Sequence, residues 1–534
     1  MKQSLAPEPI IRATSEFSFE DRESLWAEWR WWIFPTVLGV ILVFVFVDPF
    51  VGDWDALDYT VLAVRGSPSS MFLGRTLFIF ANHGLWLMAH TFLDLPVDKA
   101  YLLFKYAVIL QSPLAVVAWW SVARDLTNSS RAATLACLII ALSPFYIIYS
   151  GQAMTEIPWL LLLAIAIKIH LTGLRTGRVI LVFIGAALLG LGANIRESAL
   201  LFAPWLLLGP WSLGWRLKKR PLAITGLACF VFAICALGPF LFMFCSNIAN
   251  FRSDWHVWVE VSRLEEHRHP VSIGNLKVLL HYFFIGAPIV LVTLPFAIHS
   301  ELRERGFSPA LALSIVGLLA NLSLIVHYSA SINWRYMLTG IPAMSPLAAA
   351  YIVRLQTQNL RISKHGFTGV VLMVALISLV AGRELWPMDA AYLAERSLAK
   401  NYLARIALVP RDAVMISGSQ TVAVTYWRGL GAGDWGVIGS GSRWPAENLA
   451  SVISQKLTEG RRVFIDADPR WWRSDGWQSE ETRELVQIEE LFNFRQVSET
   501  IYEIRSPHDA NATDLPRLTR LLAPNDHRNS GVVH

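Results

Sequence analysis

"VGDWDALDYTVLAVRG", Val51 to Gly66, sets Asp53, Asp55 and Asp58 directly behind seventeen almost wholly apolar residues, 31–47. A run of that length can cross a bilayer, whose hydrocarbon core takes about 20 apolar residues per helix and as few as roughly 17. Behind it the chain turns amphipathic. One carboxylate at that lip would mark the water boundary; three of them ask for a use.

Composition fixes the class. Of 534 residues, 54% are hydrophobic and only 16% are charged, with 22 Trp. Soluble globules carry about a quarter charged residues, so this is a polytopic membrane protein. The net charge of +5 is spread over loops rather than gathered in a tract, which argues against nucleic acid as a partner. Cys137, Cys229, Cys235 and Cys245 all sit in apolar runs without metal-ligand spacing. They read as small core residues and imply no disulfide framework. Residues 1–30 are polar, no small-residue cleavage site follows the first apolar run, and that run reads as a retained anchor.

On the bilayer ruler, spans fall near 31–47, 101–122, 132–149, 157–172, 179–194, 198–213, 221–245, 278–298, 309–328, 336–353 and 366–382, eleven in all. "LFIFANHGLWLMAHTFL", 77–93, is long enough to be a twelfth but carries Asn82, His83 and His90. Charge bias decides against it. Without it, the cytoplasmic loops hold thirteen Lys and Arg against six on the other side: Arg196, Arg252, Arg263, Arg268, Lys277 and Arg335. The segment 67–95 is therefore read as an interfacial or re-entrant helix pair inside a first outer loop, 48–100. The N-terminus lies inside and the C-terminus outside.

After Arg383 the chain becomes rich in charge, Gly and Trp. "DAVMISG", "RRVFIDAD" and "QVSETIYEIRS" read as short strands and "AENLASVISQKLTEG" as a helix. The expected organisation is a cytoplasmic segment 1–30, a membrane domain 31–383, a small extracytoplasmic α/β domain 384–508 and a disordered tail 509–534.

This topology gathers the odd ionisable residues on one face: Asp53, Asp55 and Asp58, Glu156, Arg196 with Glu197, and Arg335 beside Tyr336. Charges at a membrane boundary are costly unless paired or facing a watery cavity, so their gathering points to use. Carboxylates can deprotonate an acceptor hydroxyl or hold a cation. Arginines can clamp a phosphate with two parallel hydrogen bonds. A phosphate clamp beside an acidic base suits transfer from a lipid-phosphate donor.

The pattern resembles the glycosyltransferase-C superfamily, in particular its bacterial branch of protein O-mannosyltransferases and the lipid A aminoarabinose transferase. "DALDYTVLAVR" is similar to the first outer-loop motif of an acid four residues before a Tyr, giving Asp55 and Tyr59; Ala56 stands where relatives often carry Glu, and Asp58 precedes Tyr59 instead. "GQAMTEIPWLLLLAIAI" resembles the second-loop motif and makes Glu156 the second acid. "GLGANIRESALLFAP" and "WRYMLTGIPAMSPLAAA" resemble the stretches that supply Arg196, and Arg335 with Tyr336. The resemblance covers roughly 31 to 383.

It implies a glycosyltransferase of the cytoplasmic (inner) membrane that uses a polyprenyl-phosphate-linked sugar and works at the outer face. Asp55, Asp58 and Glu156 are the catalytic candidates, with the choice of base between Asp55 and Asp58 open. Arg196, Arg335, Tyr336 and Tyr59 are the donor-binding candidates. The acceptor hydroxyl belongs to a protein, a lipid or a glycan, and membrane lipids surround the rest. No cofactor is certain and the metal ligands are unknown; a divalent metal ion has a place in the chemistry, with His256, His267 and His269 as loosely spaced candidates. Arg65 and Arg75 read as headgroup anchors, and Arg196 with Glu197 can also be read as a neighbouring pair. The competing reading is a transporter or flippase of lipid-linked sugars, which would scatter the four key charges over bilayer depth.

Overall fold

The computed structural model describes residues 29–46, 54–66, 75–214, 221–246, 273–327, 334–359, 365–384, 408–416, 436–438, 446–466 and 488–507, with the single positions 252 and 259. The expectations for 1–28, for His256, His267 and His269 and for the tail lie outside them.

Apolar runs become helices in order: α1 (Trp29–Phe46), α2 (Trp54–Arg65), α3 (Thr76–Leu93), α4 (Ala100–Thr127), α5 (Ser130–Ala141), α6 (Pro144–Ser150), α7 (Glu156–Thr176) and α8 (Val179–Gly192). There follow α9 (Trp205–Ser212), α10 (Pro221–Ser246), α11 (Ile273–Gly286), α12 (Pro288–Glu304), α13 (Pro309–His327), α14 (Met337–Asn359) and α15 (His365–Ala381). Among the described residues four helices are long and apolar enough to cross a membrane, or six if the bent pairs α5–α6 and α11–α12 each make one span. Four shorter apolar helices accompany them. Large apolar side chains such as Leu110, Leu222, Phe242 and Phe296 stand exposed around the outside, as lipid-facing residues do. The chain is a multi-pass membrane protein.

Three segments depart from straight spans, and proline is present at each. The stretch 198–213 breaks into a 3-10 turn (Glu197–Phe202) and the two-turn α9, with Pro204 and Pro210 each withholding a backbone donor. The α5–α6 pair bends by 66° before Pro144, and α11–α12 by 108° before Pro288. The two bends meet: a Cβ on Gly286 would fall 2.0 Å from the Phe145 ring, so only glycine fits there.

Proline also exposes carbonyls inside the helices, and these find side-chain donors. Pro35 leaves the Trp31 carbonyl without its i+4 partner, and the Thr134 hydroxyl donates to it at 2.7 Å. Pro239 does the same to Cys235, and the Asn194 amide nitrogen fills the gap at 3.0 Å. Without water in a bilayer core, each such carbonyl must be satisfied internally. Helix ends follow the usual chemistry, with Asp94, Asn128 and Gly177 taking the left-handed conformation that closes α3, α4 and α7.

Beyond the membrane helices lies a five-stranded sheet of β1 (Val414–Ile416), β2 (Gly436–Ile438), β3 (Val463–Asp466), β4 (Asn493–Gln496) and β5 (Ile501–Arg505), ordered β2-β1-β3-β5-β4. The β2-β1-β3 part is parallel and the β3-β5-β4 part antiparallel. Side chains alternate across it. Val414, Ile416, Val463, Ile465 and Ile504 pack with Leu449 and Ile453 of the helix α16 (Ala446–Thr458). Met415, Phe464 and Ile501 point the other way and join the apolar cluster that also holds the membrane helices.

Candidate active site

Six ionisable side chains, each at or beside the end of a helical element, meet in one alternating row. Asp55 lies in the first turn of α2 and Glu156 in the first turn of α7, where a negative charge complements the helix dipole. Arg75 immediately precedes α3, Arg196 caps and Glu197 opens the 3-10 turn that follows α8, and Arg335 lies in the 3-10 turn (Trp334–Tyr336) ahead of α14. A backbone bond from Leu77 N to the Asn194 carbonyl, 2.8 Å, joins the start of α3 to the turn carrying Arg196. Asn194 in turn hangs on the Cys235 and Ala236 carbonyls of α10. The loop is thereby pinned to the membrane scaffold.

The row reads Glu197, Arg75, Asp55, Arg335, Glu156, Arg196. Arg75 Nη2 donates to Glu197 Oε1 at 3.2 Å, and its Nη1 stands 3.7 Å from Asp55 Oδ2. Arg335 Nη1 donates to the same Asp55 oxygen at 2.7 Å, and its Nε lies 3.9 Å from Glu156 Oε1. Arg196 Nη1 closes the series on Glu156 Oε1 and also reaches Thr155 Oγ1 at 3.3 Å. The row runs from open to buried: the Glu197 side chain is 40% exposed and Asp55 25%, whereas Arg196 and Glu156 are at 2% and 1%.

Two tyrosines floor the row. The Tyr336 ring carries the Arg196 guanidinium at 5.2 Å and that of Arg335 at 5.6 Å, while Arg75 sits 5.2 Å above Tyr59. Cation–π contact of this kind holds a guanidinium without using its N–H groups, which leaves those groups for oxygen. Nε and Nη2 of Arg196 are buried with no hydrogen-bond partner among the described residues.

Burial works to raise the Asp55 carboxyl, but Arg335, Arg75 and Arg196 outweigh it and hold its pKa below the ordinary value. Glu197 follows the same pattern: burial raises it, Arg75 and Arg196 lower it, and the lowering prevails.

A groove of about 250 Å³ opens between α3, α4 and α7. Its lining includes close sequence neighbours of three row residues: Leu77 and Phe78 follow Arg75 by two and three positions, Pro158 follows Glu156 by two, and Ile195 directly precedes Arg196. The remaining lining is apolar apart from Asn82 and Gln111, whose amides bond back to their own helices at Phe78 and Ala107.

The sequence-derived residues Asp55, Tyr59, Glu156, Arg196, Arg335 and Tyr336 thus stand together. Asp58 lies in α2, and its side chain is outside the described residues. Two members of the row, Arg75 and Glu197, have partners that their sequence neighbourhoods do not suggest. Arg75 is a buried partner of two carboxylates rather than a headgroup anchor. Arg196 and Glu197 make their contacts with Glu156 and Arg75, so adjacency in sequence hid two separate roles. Among the described residues no group of three or more His, Cys, Asp or Glu could hold a metal ion. The carboxylates of the row are each matched by arginine instead.

Residues 86–238, from α3 to α10, match the family described as dolichyl-phosphate-mannose-protein mannosyltransferase. The archaeal oligosaccharyltransferase AglB from Archaeoglobus fulgidus, solved with an inhibitory peptide and a dolichol-phosphate, superposes with a TM-score of 0.51 at 12% identity, covering 91% of this chain and 75% of that one. Residues 86–238 thus resemble that family in sequence, and the chain resembles AglB in fold. ArnT from Cupriavidus metallidurans, solved bound to undecaprenyl phosphate, aligns at 13% identity and a TM-score of 0.49, over 89% of this chain and 98% of that one. At such identities the likeness is one of fold. No curated protein matches the chain in sequence. The matched family segment contains Glu156, Arg196 and Glu197 of the row; Asp55, Arg75 and Arg335 lie outside it.

Proposed function

We propose that this protein is a glycosyltransferase moving a sugar from a polyprenyl-phosphate-linked donor to a hydroxyl acceptor, at the outer face of the cytoplasmic membrane. One observation carries the reading: three arginines and three carboxylates from separate helix ends converge in one row, and close sequence neighbours of Arg75, Glu156 and Arg196 line an apolar groove between α3, α4 and α7. An isoprenoid tail suits the groove, and its phosphate would then lie among Arg75, Arg196 and Arg335. The family match over 86–238 and the dolichol-phosphate bound by AglB agree with such a donor.

In this mechanism a carboxylate, Asp55 or Asp58, takes the proton of the acceptor hydroxyl. The acceptor oxygen bonds to the anomeric carbon as the bond from that carbon to the phosphate oxygen breaks. The electron pair leaves on the phosphate, where the arginines meet the growing charge. A positioned base is worth about 10²–10⁴-fold in rate. Phosphate is already a good leaving group, so a general acid is not required. Eleven spans with the N-terminus inside, and a sheet outside the membrane, complete the arrangement proposed here.

The transporter reading asked for charges scattered over bilayer depth. Their convergence in one row favours transfer. The test is mass analysis of envelope glycans and lipids from a deletion strain, alongside transfer from labelled polyprenyl-phosphate sugars by the purified chain. Loss of one glycoform, restored by the purified chain, is expected. An unchanged glycan and lipid profile with normal donor movement across vesicles would instead favour transport.

A further inference from the structure

Resting on the lipid-phosphate reading above, we propose that Asp55 is a latch: a built-in anion that occupies Arg335 and Arg75 until the donor phosphate displaces it, which frees the carboxylate to act.

The row contains three guanidinium groups and three carboxylates, so an arriving phosphate meets no net positive charge. It gains the forked grip of Arg335 and Arg75 only if one carboxylate withdraws. Carboxylate and phosphate oxygens accept the same N–H fork, and a guanidinium nitrogen engaged by one is closed to the other. The three carboxylates are unequal in their freedom to leave. Glu156 is almost wholly enclosed, between Arg196 and Arg335, and moving it would strand a buried Arg196. Glu197 is open, but it holds only Arg75 among the arginines of the row. Asp55 alone of the three combines partial exposure with contact to two arginines through one oxygen, and it rides on the short helix α2 rather than on a span. Its withdrawal presents two adjacent guanidinium groups at once.

The exchange also balances the chemistry. When the acceptor proton passes to Asp55, the carboxyl becomes neutral and the leaving phosphate gains one negative charge. Arg335 and Arg75 therefore stay with the phosphate through the step. After Asp55 loses its proton again, it competes for the same arginines and helps to expel the polyprenyl phosphate product.

A latch lowers apparent affinity by the fraction of molecules it leaves open: closed in about nine of ten, it costs roughly tenfold. The experiment is equilibrium binding of undecaprenyl phosphate to the full chain in lipid nanodiscs, with undecaprenol as the phosphate-free control. Asp55→Asn and Asp55→Ser should each bind undecaprenyl phosphate about tenfold tighter than the parent, although the Asn variant no longer transfers sugar. Glu197→Gln removes the same charge from Arg75 alone and should stay within about threefold of the parent. Equal or weaker binding by both Asp55 variants overturns the latch, and so does equal tightening by Glu197→Gln. A parent chain that does not distinguish undecaprenyl phosphate from undecaprenol overturns the lipid-phosphate reading itself. Hydrogen exchange on the unmutated chain supplies a check independent of folding: amides of α2 should lose protection when undecaprenyl phosphate, but not undecaprenol, is added. Unchanged or increased protection there counts against the latch.

Discussion

Asp55 and Arg335 are 280 residues apart in sequence, yet Arg335 Nη1 donates to Asp55 Oδ2 at 2.7 Å. The bond ties α2 to the 3-10 turn ahead of α14, and the same guanidinium leans on Glu156 from its other edge. Arg335→Ala should therefore lower kcat/KM for a polyprenyl-phosphate sugar by about 10–100-fold, the scale of one or two lost charge-assisted hydrogen bonds. Arg335→Lys keeps the charge but loses the planar fork, and should fall between the two. Weakening of acceptor binding to the same extent as donor binding would count against a phosphate clamp.

The parts of this site legible in the sequence share one property. Asp55, Glu156, Arg196 and Arg335 each stand at the edge of an apolar run, where an ionisable residue is conspicuous against its surroundings. Arg75 follows a polar stretch, "GSPSSMFLG", where a surface arginine is unremarkable. Its burial comes from the backbone bond between Leu77 and Asn194, a contact no local pattern announces. The sheet shows the same limit. β1, β3 and β5 are short, mainly apolar runs that read as buried strands. β2 is three residues within the glycine-rich "GAGDWGVIGSGS", and β4 is the polar "NFRQ". Both are strands because a neighbour supplies the ladder, not because their own residues demand it.

The acid behaviour of the row follows from its pairing. Asp55 titrates below its ordinary 3.8 and Glu197 below its ordinary 4.5, since the arginines outweigh burial. A lowered carboxyl contributes stability that is complete above its unfolded pKa and is lost as pH falls through the folded one. Stability from this pair of acids should thus hold down to about pH 4.5 and drain away below 3.8. For catalysis, kcat/KM reports the free enzyme and should show no acid limb from Asp55 above pH 3.8. In the donor complex the phosphate takes the arginines from Asp55, so the acid limb of kcat should lie at higher pH than that of kcat/KM. Coincident limbs would mean that Asp55 keeps its partners.

The buried end of the row makes a stability prediction. Glu156 and Arg196 are at most 2% exposed, so removing one partner leaves a charge with little water to turn to. Arg196→Met should cost about 3–5 kcal/mol in detergent unfolding, and Glu156→Gln a comparable amount. The double variant should recover a large part of that loss, because the desolvation of both ions disappears with them. Transfer activity stays absent in all three. Simple addition of the two single losses would show that the pair is not coupled.

Asn194 offers a test that separates scaffold from chemistry. Its amide reaches the Cys235 carbonyl that Pro239 leaves without an intrahelical donor, while its own carbonyl takes the Leu77 amide and so aligns Arg75 with the turn carrying Arg196. Asn194→Ala uncovers a buried acceptor and should destabilise the chain by about 1–3 kcal/mol. Pro239→Ala restores the missing N–H within α10, so the carbonyl no longer needs Asn194. Combining the two should give back most of the stability lost in Asn194→Ala. Activity should recover less than stability, because the side-chain tether between the Arg196 turn and α10 is still missing and the row is no longer held in register. If Pro239→Ala adds to the damage instead, the carbonyl left open by proline is not what Asn194 serves.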